Sequence, residues 1–185
     1  MPRRQVNVGN LMDGGMWAAE LGTRLVAQRL TICTAESLTA GHLQVLVSSI
    51  SGSSRYFVGG VTAYNLRQKV SILHVDAAHA AEVNCVSPLV ARQMAAGARR
   101  LFGTDLAVST TGYAEPSPAD QVAVPFAYYA IDGPFGVLDG RIDCPARARM
   151  AVQRDVALEV LRRLLAYLHA GDQARSAAGP AVSPT

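Results

Sequence analysis

A three-layer α/β/α sandwich with a mixed, mainly parallel sheet and a C-terminal antiparallel hairpin is the fold this sequence predicts, on three observations. Helical and strand-like periods alternate through the first two thirds of the chain, the pattern of right-handed βαβ crossovers. The β-branched run TICTAES breaks sharply at Glu36-Ser37 into a helical pattern, giving strand, tight turn, helix. Two later strand-like runs meet at Gly133-Pro134, which suggests a hairpin.

Taken in order, GMWAAELGTRLVAQRL from Gly15 to Leu30 spaces Trp17, Leu21 and Leu25 as an amphipathic helix. The strand TICTAES and the helical LTAGHLQVLVSSI follow, then SGSSRYF as loop. A second strand is predicted over Val58 to Tyr64 and a short helix over NLRQKVSIL, with DAAHAAEVNCV as a connector. SPLVARQMAAGARRLFG has Ser87 as N-cap, Pro88 at the first helical position and Gly103 as the stop. TDLAVSTTG is a buried strand, GYAEPSPADQ a Pro-rich loop, and VAVPFAYYAID with GVLDGRIDC the hairpin. A last helix spans about Ala148 to His169, its apolar side formed by Val152, Val156, Leu161, Leu164 and Leu168. One domain over 15–170 is expected, with residues 1–14 as an N-terminal extension and 171–185 as a disordered tail.

Composition narrows the class. The net charge of +3 is spread over scattered arginines beside Asp and Glu, which describes a solvated surface and not a nucleic-acid groove. No apolar run approaches the roughly 20 residues that span a bilayer, and no hydrophobic stretch follows Arg3 and Arg4, so no membrane role and a cytoplasmic location are expected. The 3 cysteines, Cys33, Cys85 and Cys144, form no CxxC pair, and the 4 histidines form no ligand pair, so no metal is expected. Neither a G-x-G-x-x-G nor a P-loop is present, and no cofactor is implied.

One lysine stands among 17 Lys plus Arg, in TAYNLRQKV. A buried amine can lose its proton, whereas a guanidinium stays charged at any useful pH. Lys69 beside Ser37 could therefore take the hydroxyl proton and generate a nucleophile, with Tyr64 relaying the proton or orienting the amine. The plainer alternatives stay open: Ser37 as a helix cap, Lys69 on a solvated face, Tyr64 filling a sheet edge. In open α/β sheets ligands gather at the carboxyl ends of strands, and three such loops are hydroxyl- or glycine-bearing: 36–41, Tyr64-Asn65, and Thr110-Thr111-Gly112.

TAESLTAG resembles the T-A-E-S-C-T-G-G signature of the CinA C-terminal domain family. GSSRYFVGGVTAYNLRQKVSILHV and VSPLVARQMAAGARRLFGTDLAVSTTGYAEP resemble that family's next two blocks in the same order. The family is known for nicotinamide mononucleotide deamidase activity and is sometimes fused to an N-terminal nucleotide-hydrolysing domain, of which this sequence carries no part. The resemblance implies Ser37 as nucleophile, Lys69 as its base and Tyr64 as assistant. Thr39, Gly41, Asn65, Thr110, Thr111 and Gly112 would line the pocket, and Arg149 is the phosphate candidate by position, with an ordinary surface arginine as the alternative. A small-molecule pyridine nucleotide is the implied partner, and self-association is implied.

Four stretches depart from the family pattern, among them Gln121-Val122-Ala123-Val124-Pro125 in place of a Pro-Val-Gly-Thr strand opening and Arg147 to Gln153 in place of G-D-R-x-x-V-R; the other two are loops. Cys-Thr-Gly-Gly has become Leu38-Thr39-Ala40-Gly41, adding a β-carbon at residue 40, and Ala-Gly-Pro has become Ala114-Glu115-Pro116, placing a carboxylate in the presumed substrate loop. Amidohydrolysis is the first expectation. A silent nucleotide-binding protein of the same fold, or an amidase for another small amide, is the alternative.

Overall fold

The computed structural model describes residues 11–145 and 148–177. In chain order the elements are α1 (Leu11–Gln28), β1 (Ile32–Glu36), α2 (His42–Ser48), β2 (Phe57–Thr62), α3 (Leu66–Leu73), α4 (Ala77–Glu82), α5 (Pro88–Phe102), β3 (Leu106–Tyr113), β4 (Phe126–Gly133), β5 (Gly136–Asp143) and α6 (Arg149–Ala177).

The sheet runs β2-β1-β3-β4-β5. β1 pairs in parallel with both β2 and β3, while β3–β4 and β4–β5 are antiparallel. Four strands thus point one way and only β4 opposes them. Glu36 is in register with Thr62 on one side and Thr110 on the other, so β1 and β2 end level beside Thr110 while β3 runs on to Tyr113, and all three lead into loops at one edge of the sheet. That edge is where an open α/β sheet can hold a ligand.

Strand alternation sorts side chains into two cores. Ile32, Leu106, Val108, Tyr129 and Ile131 face one side, packed with Leu21 and Leu25 of α1, Leu43 and Val47 of α2, and Val156, Leu161 and Leu164 of α6. Cys33, Ala35, Ala107 and Ala130 face the other, under Met94 and Ala95 of α5 and Leu73 of α3. The fully buried strand residues of the second face are all small, which lets α5 sit close to the strands. Close approach continues outward: a β-carbon on Gly97 of α5 would collide with the Leu73 backbone of α3.

The α5 signals hold. Ser87 Oγ accepts from Val90 N, Pro88 opens the helix, and Gly103 closes it at φ 63°. Other boundaries move. α4 lies inside the stretch read as a connector; at six residues it is too short to show a period, and Asp76 caps it by accepting from His79 N. β4 starts at Phe126, after Pro125, and Val122 instead bridges Ser117.

Both outer helices are longer than expected. α1 starts at Leu11 and not at Gly15, and α6 continues to Ala177, so 171–177 is helix and not disordered tail. The physical reason lies in partners the sequence does not reveal. Gly171 passes against the Phe135 ring, Asp172 pairs with Arg24 and Arg175, and the Arg175 guanidinium lies 4.7 Å from the Phe135 ring centroid. The rest of the expected extension (1–10) and tail (178–185) lies outside the described residues.

Candidate active site

Ser37 follows directly on β1, and the turn that holds it is built by Glu36. That carboxylate is fully buried and accepts from the backbone N–H of Gly41 (2.9 Å), Leu43 (3.1 Å) and Gln44 (2.8 Å). An acceptor of this kind is needed because Gly41, the N-cap of α2, has no side chain to offer, and a negative charge suits a helix N-terminus. The turn passes through Ala40 at φ 51° and Gly41 at φ 103°, reversing the chain within one turn. Ser37 N donates to Thr110 O at 3.0 Å, tying the serine to β3. Below it, Thr39 Oγ1 and Thr110 Oγ1 share a buried hydrogen bond of 2.7 Å.

Lys69 comes from α3, whose N-cap Asn65 accepts from Gln68 N. The amphipathic spacing of this short helix turns Lys69 inward, where it is 1% exposed, beside Ser37 at 7%. Nζ lies 2.9 Å from Ser37 Oγ, 2.9 Å from Ala63 O and 3.2 Å from Tyr64 O. No carboxylate is among these contacts. Burial therefore lowers the Lys69 pKa below its ordinary value, and the neighbouring Cys85 thiol opposes that shift weakly. Three acceptors suit the three N–H of an ammonium. They equally suit a neutral amine whose two N–H meet the carbonyls and whose lone pair faces the serine hydroxyl.

The dyad opens on a cleft of about 260 Å³ lined by Ser37, Lys69, Tyr64, Thr111, Gly112 and Arg149 among the expected residues. Thr39, Gly41, Asn65 and Thr110 lie one layer back: they brace the serine turn, start α2, cap α3 and anchor Ser37 N, because their polar atoms are consumed by these local bonds. Thr111 Oγ1 donates to Cys85 O at 2.7 Å, holding the α4–α5 turn against β3. Gly112 is required by packing, since a β-carbon there would collide with the Phe126 carbonyl and the Ala127 backbone of β4.

Tyr64 needs correction as a proton relay. Its carbonyl accepts from Lys69, but its ring is 53% exposed and its hydroxyl accepts from Arg149 Nη2 at 2.5 Å. Arg149 Nη1 also reaches Glu115 Oε1 at 2.5 Å, so Arg149 spans the cleft mouth between two loops.

Asn84, Cys85, Tyr113, Glu115 and Ser117 are among the other residues of the lining. Glu115 is visible in the sequence as a departure from the family pattern; Asn84 and Cys85 are not read as site residues. Asn84 Nδ2 donates to Tyr113 Oη and to Asp120 Oδ1, both at 3.1 Å, which braces the loop after β3. Asn84 and Cys85 take φ of 47° and 61°. Asn tolerates that region and gives a faint sequence signal; Cys gives none.

Comparison with known proteins places the chain in a family. The model of the CinA C-terminal domain matches residues 16–168. The chain belongs to the CinA C-terminal domain family. A CinA-like protein of Rippkaea orientalis is 37% identical over 156 residues, covering 84% of this chain and 36% of that protein. One of Synechococcus elongatus is 39% identical over 161 residues, covering 84% and 38%. The chain therefore spans little more than a third of these relatives. The competence/damage inducible protein CihA of Agrobacterium tumefaciens has a crystal structure that superposes with a TM-score of 0.78 at 26% identity, covering 89% of this chain and 99% of that one. A CinA superfamily protein of Enterobacter cloacae, at 22% identity and a TM-score of 0.80, shares the fold.

Within this CinA domain the two unusual loops play different parts. Ala40 is exposed and lies outside the cleft lining, so its β-carbon takes no ligand space and strains only the backbone. Glu115 lies in the lining and holds the cation there.

Proposed function

We propose that this CinA domain is an amidohydrolase that releases ammonia from nicotinamide mononucleotide or a close pyridine nucleotide. The observation that carries the reading is a single contact: a buried, uncompensated lysine amine 2.9 Å from a serine hydroxyl at the base of a cleft. The neutral Lys69 amine accepts the Ser37 hydroxyl proton as Oγ attacks the carboxamide carbon. The oxyanion so formed needs a donor, and the Leu38 N–H, next in the chain and with no acceptor among the described residues, is the candidate. Lys69 then gives the proton to the departing nitrogen, and ammonia leaves an acyl-serine. Water, deprotonated by the same amine, attacks the ester carbon; the carboxylate product departs and Ser37 regains its proton.

A neutral amine also suits a cationic pyridinium ring, which a guanidinium in the same place would repel. The test is ammonia release from nicotinamide mononucleotide by the wild type, Ser37→Ala and Lys69→Arg. Equal rates in all three would remove this mechanism. A second reading, a nucleotide-binding protein without turnover, draws on one observation, the engagement of Arg149 by Glu115. It requires pyridine nucleotides to raise the melting temperature while no ammonia forms. A cytoplasmic location and self-association belong to the same proposal; gel filtration with light scattering tests the latter.

A further inference from the structure

We infer that Glu115 is a specificity-determining residue that weakens the preference of this site for a phosphate-bearing substrate, by engaging the Arg149 guanidinium that a phosphate needs. The inference rests on the proposed function only in placing the reactive amide at Ser37. Among the described residues two cations line the cleft: Lys69 at its base, committed to Ser37 and two carbonyls, and Arg149 at its mouth. Of these two, Arg149 is the one placed to partner an anionic group on a ligand whose amide reaches Ser37.

Both terminal nitrogens of that guanidinium are in use, Nη1 on Glu115 Oε1 and Nη2 on Tyr64 Oη. A phosphate taking the planar fork in two-pronged fashion must displace at least one of them. The two acceptors respond differently. The Tyr64 hydroxyl is neutral and carries a proton it can turn toward a phosphate oxygen. Glu115 is an acceptor only, and its charge opposes the phosphate at every position near Arg149.

The pair is solvent-exposed, with side-chain exposures of 43% and 59%, so it holds Arg149 weakly and a dianion can displace it. The result is a reduction in affinity and not exclusion. A ligand with the same amide and ribose but no phosphate leaves the bridge untouched. The bridge also joins three separate segments, the start of α6, the loop after β3 and the loop after β2, so the choice of acceptor by Arg149 is made across the whole mouth.

The experiment is calorimetric binding of nicotinamide mononucleotide and of nicotinamide riboside to the wild type, Glu115→Gln and Arg149→Gln, with ammonia release followed in parallel. Glu115→Gln keeps the size and the acceptor oxygen and removes the charge. It should tighten the mononucleotide about five- to tenfold and the riboside less than twofold, while Arg149→Gln should weaken the mononucleotide selectively. An unchanged ratio of the two dissociation constants in Glu115→Gln, an equal change for both ligands, or no mononucleotide binding to any of the three proteins overturns the inference. A shifted ratio without ammonia from any protein supports it and defeats the catalytic reading instead.

Discussion

The base and the mouth of the cleft are made in opposite ways. At the base, Ser37 and Lys69 are almost fully buried, and each is fixed by a neighbouring strand or helix start, Ser37 through Thr110 O and Lys69 through Ala63 O and Tyr64 O. At the mouth, the side chains of Arg149, Glu115 and Tyr64 are substantially exposed and, among the described residues, bond to one another. The difference teaches where this domain can change. Geometry at the base is over-determined by the packing of β1, β3 and α3, so a substitution there removes chemistry. Contacts at the mouth are charges in water, so a substitution there changes which ligand is favoured.

The largest effects should come from breaking the base. Ser37→Ala should lower ammonia release by about 10³-fold or more, and Lys69→Arg by about 10²- to 10⁴-fold, since arginine keeps the charge but cannot act as the base. Ser37→Ala removes one oxygen and should still fold. A Ser37→Ala protein that works at the wild-type rate would place the nucleophile elsewhere.

Titration sharpens the same contrast. Burial depresses the native pKa of Lys69 below its ordinary 10.5. Between that depressed value and the unfolded one, the unfolded chain binds more protons than the native protein, so stability rises with pH across this window. Below it both states are protonated and the burial penalty is complete; above it both are neutral and the penalty has gone. Lys69→Met has no such titration. The urea midpoint of the wild type should therefore climb relative to that of Lys69→Met as pH rises through the window, and ammonia release should climb through the same native pKa. A constant difference between the two midpoints would mean an amine of ordinary basicity. Smaller in size is the five- to tenfold shift in mononucleotide affinity expected of Glu115→Gln at the mouth.

Much of the base was legible in the sequence because it depends on residue types that few other roles require. A lone lysine in an arginine-rich chain and a serine at a strand-to-helix break both point to a site, and the structure brings them together. The bracing residues Thr39, Gly41, Asn65 and Thr110 were placed in the right loops but one layer too far forward. Composition identifies a loop and not which way its hydroxyls turn. Tyr64 divides for the same reason: its main chain orients the amine while its ring, the part a relay would need, leaves it. Asn84 and Cys85 enter the cleft through tertiary packing of the α4–α5 turn against Thr111, which no local pattern encodes.

Next in size is the support beneath the serine. Glu36→Gln keeps the shape of the side chain but removes the charge that faces three N-terminal amides of α2, and its amide nitrogen would be turned toward donors. A loss of about 1–3 kcal/mol is expected for breaking a buried charged acceptor, which is a fall of about 2–12 °C in melting temperature for a chain of this length. Ammonia release should fall with it, because Ser37 is the next residue. A variant equally stable but inactive would show that Glu36 positions the serine without contributing to the fold.

The smallest effect belongs to Ala40. Its φ of 51° puts an L-residue in the left-handed region, which costs about 1–2 kcal/mol. Ala40→Gly removes that strain and returns about 0.5–1 kcal/mol of it through the looser unfolded chain. The net gain of about 0.5–1 kcal/mol should raise the melting temperature by about 1–4 °C. The β-carbon is exposed and outside the cleft, while Ser37 is set by Thr110 O and by the amides gathered on Glu36. Ammonia release should thus stay within about twofold of wild type, as it must if the base is insulated from its own turn. A stabilised Ala40→Gly protein with a tenfold lower rate would mean that strain at residue 40 helps to hold the serine. The base of the cleft would then share the adjustability now assigned only to its mouth.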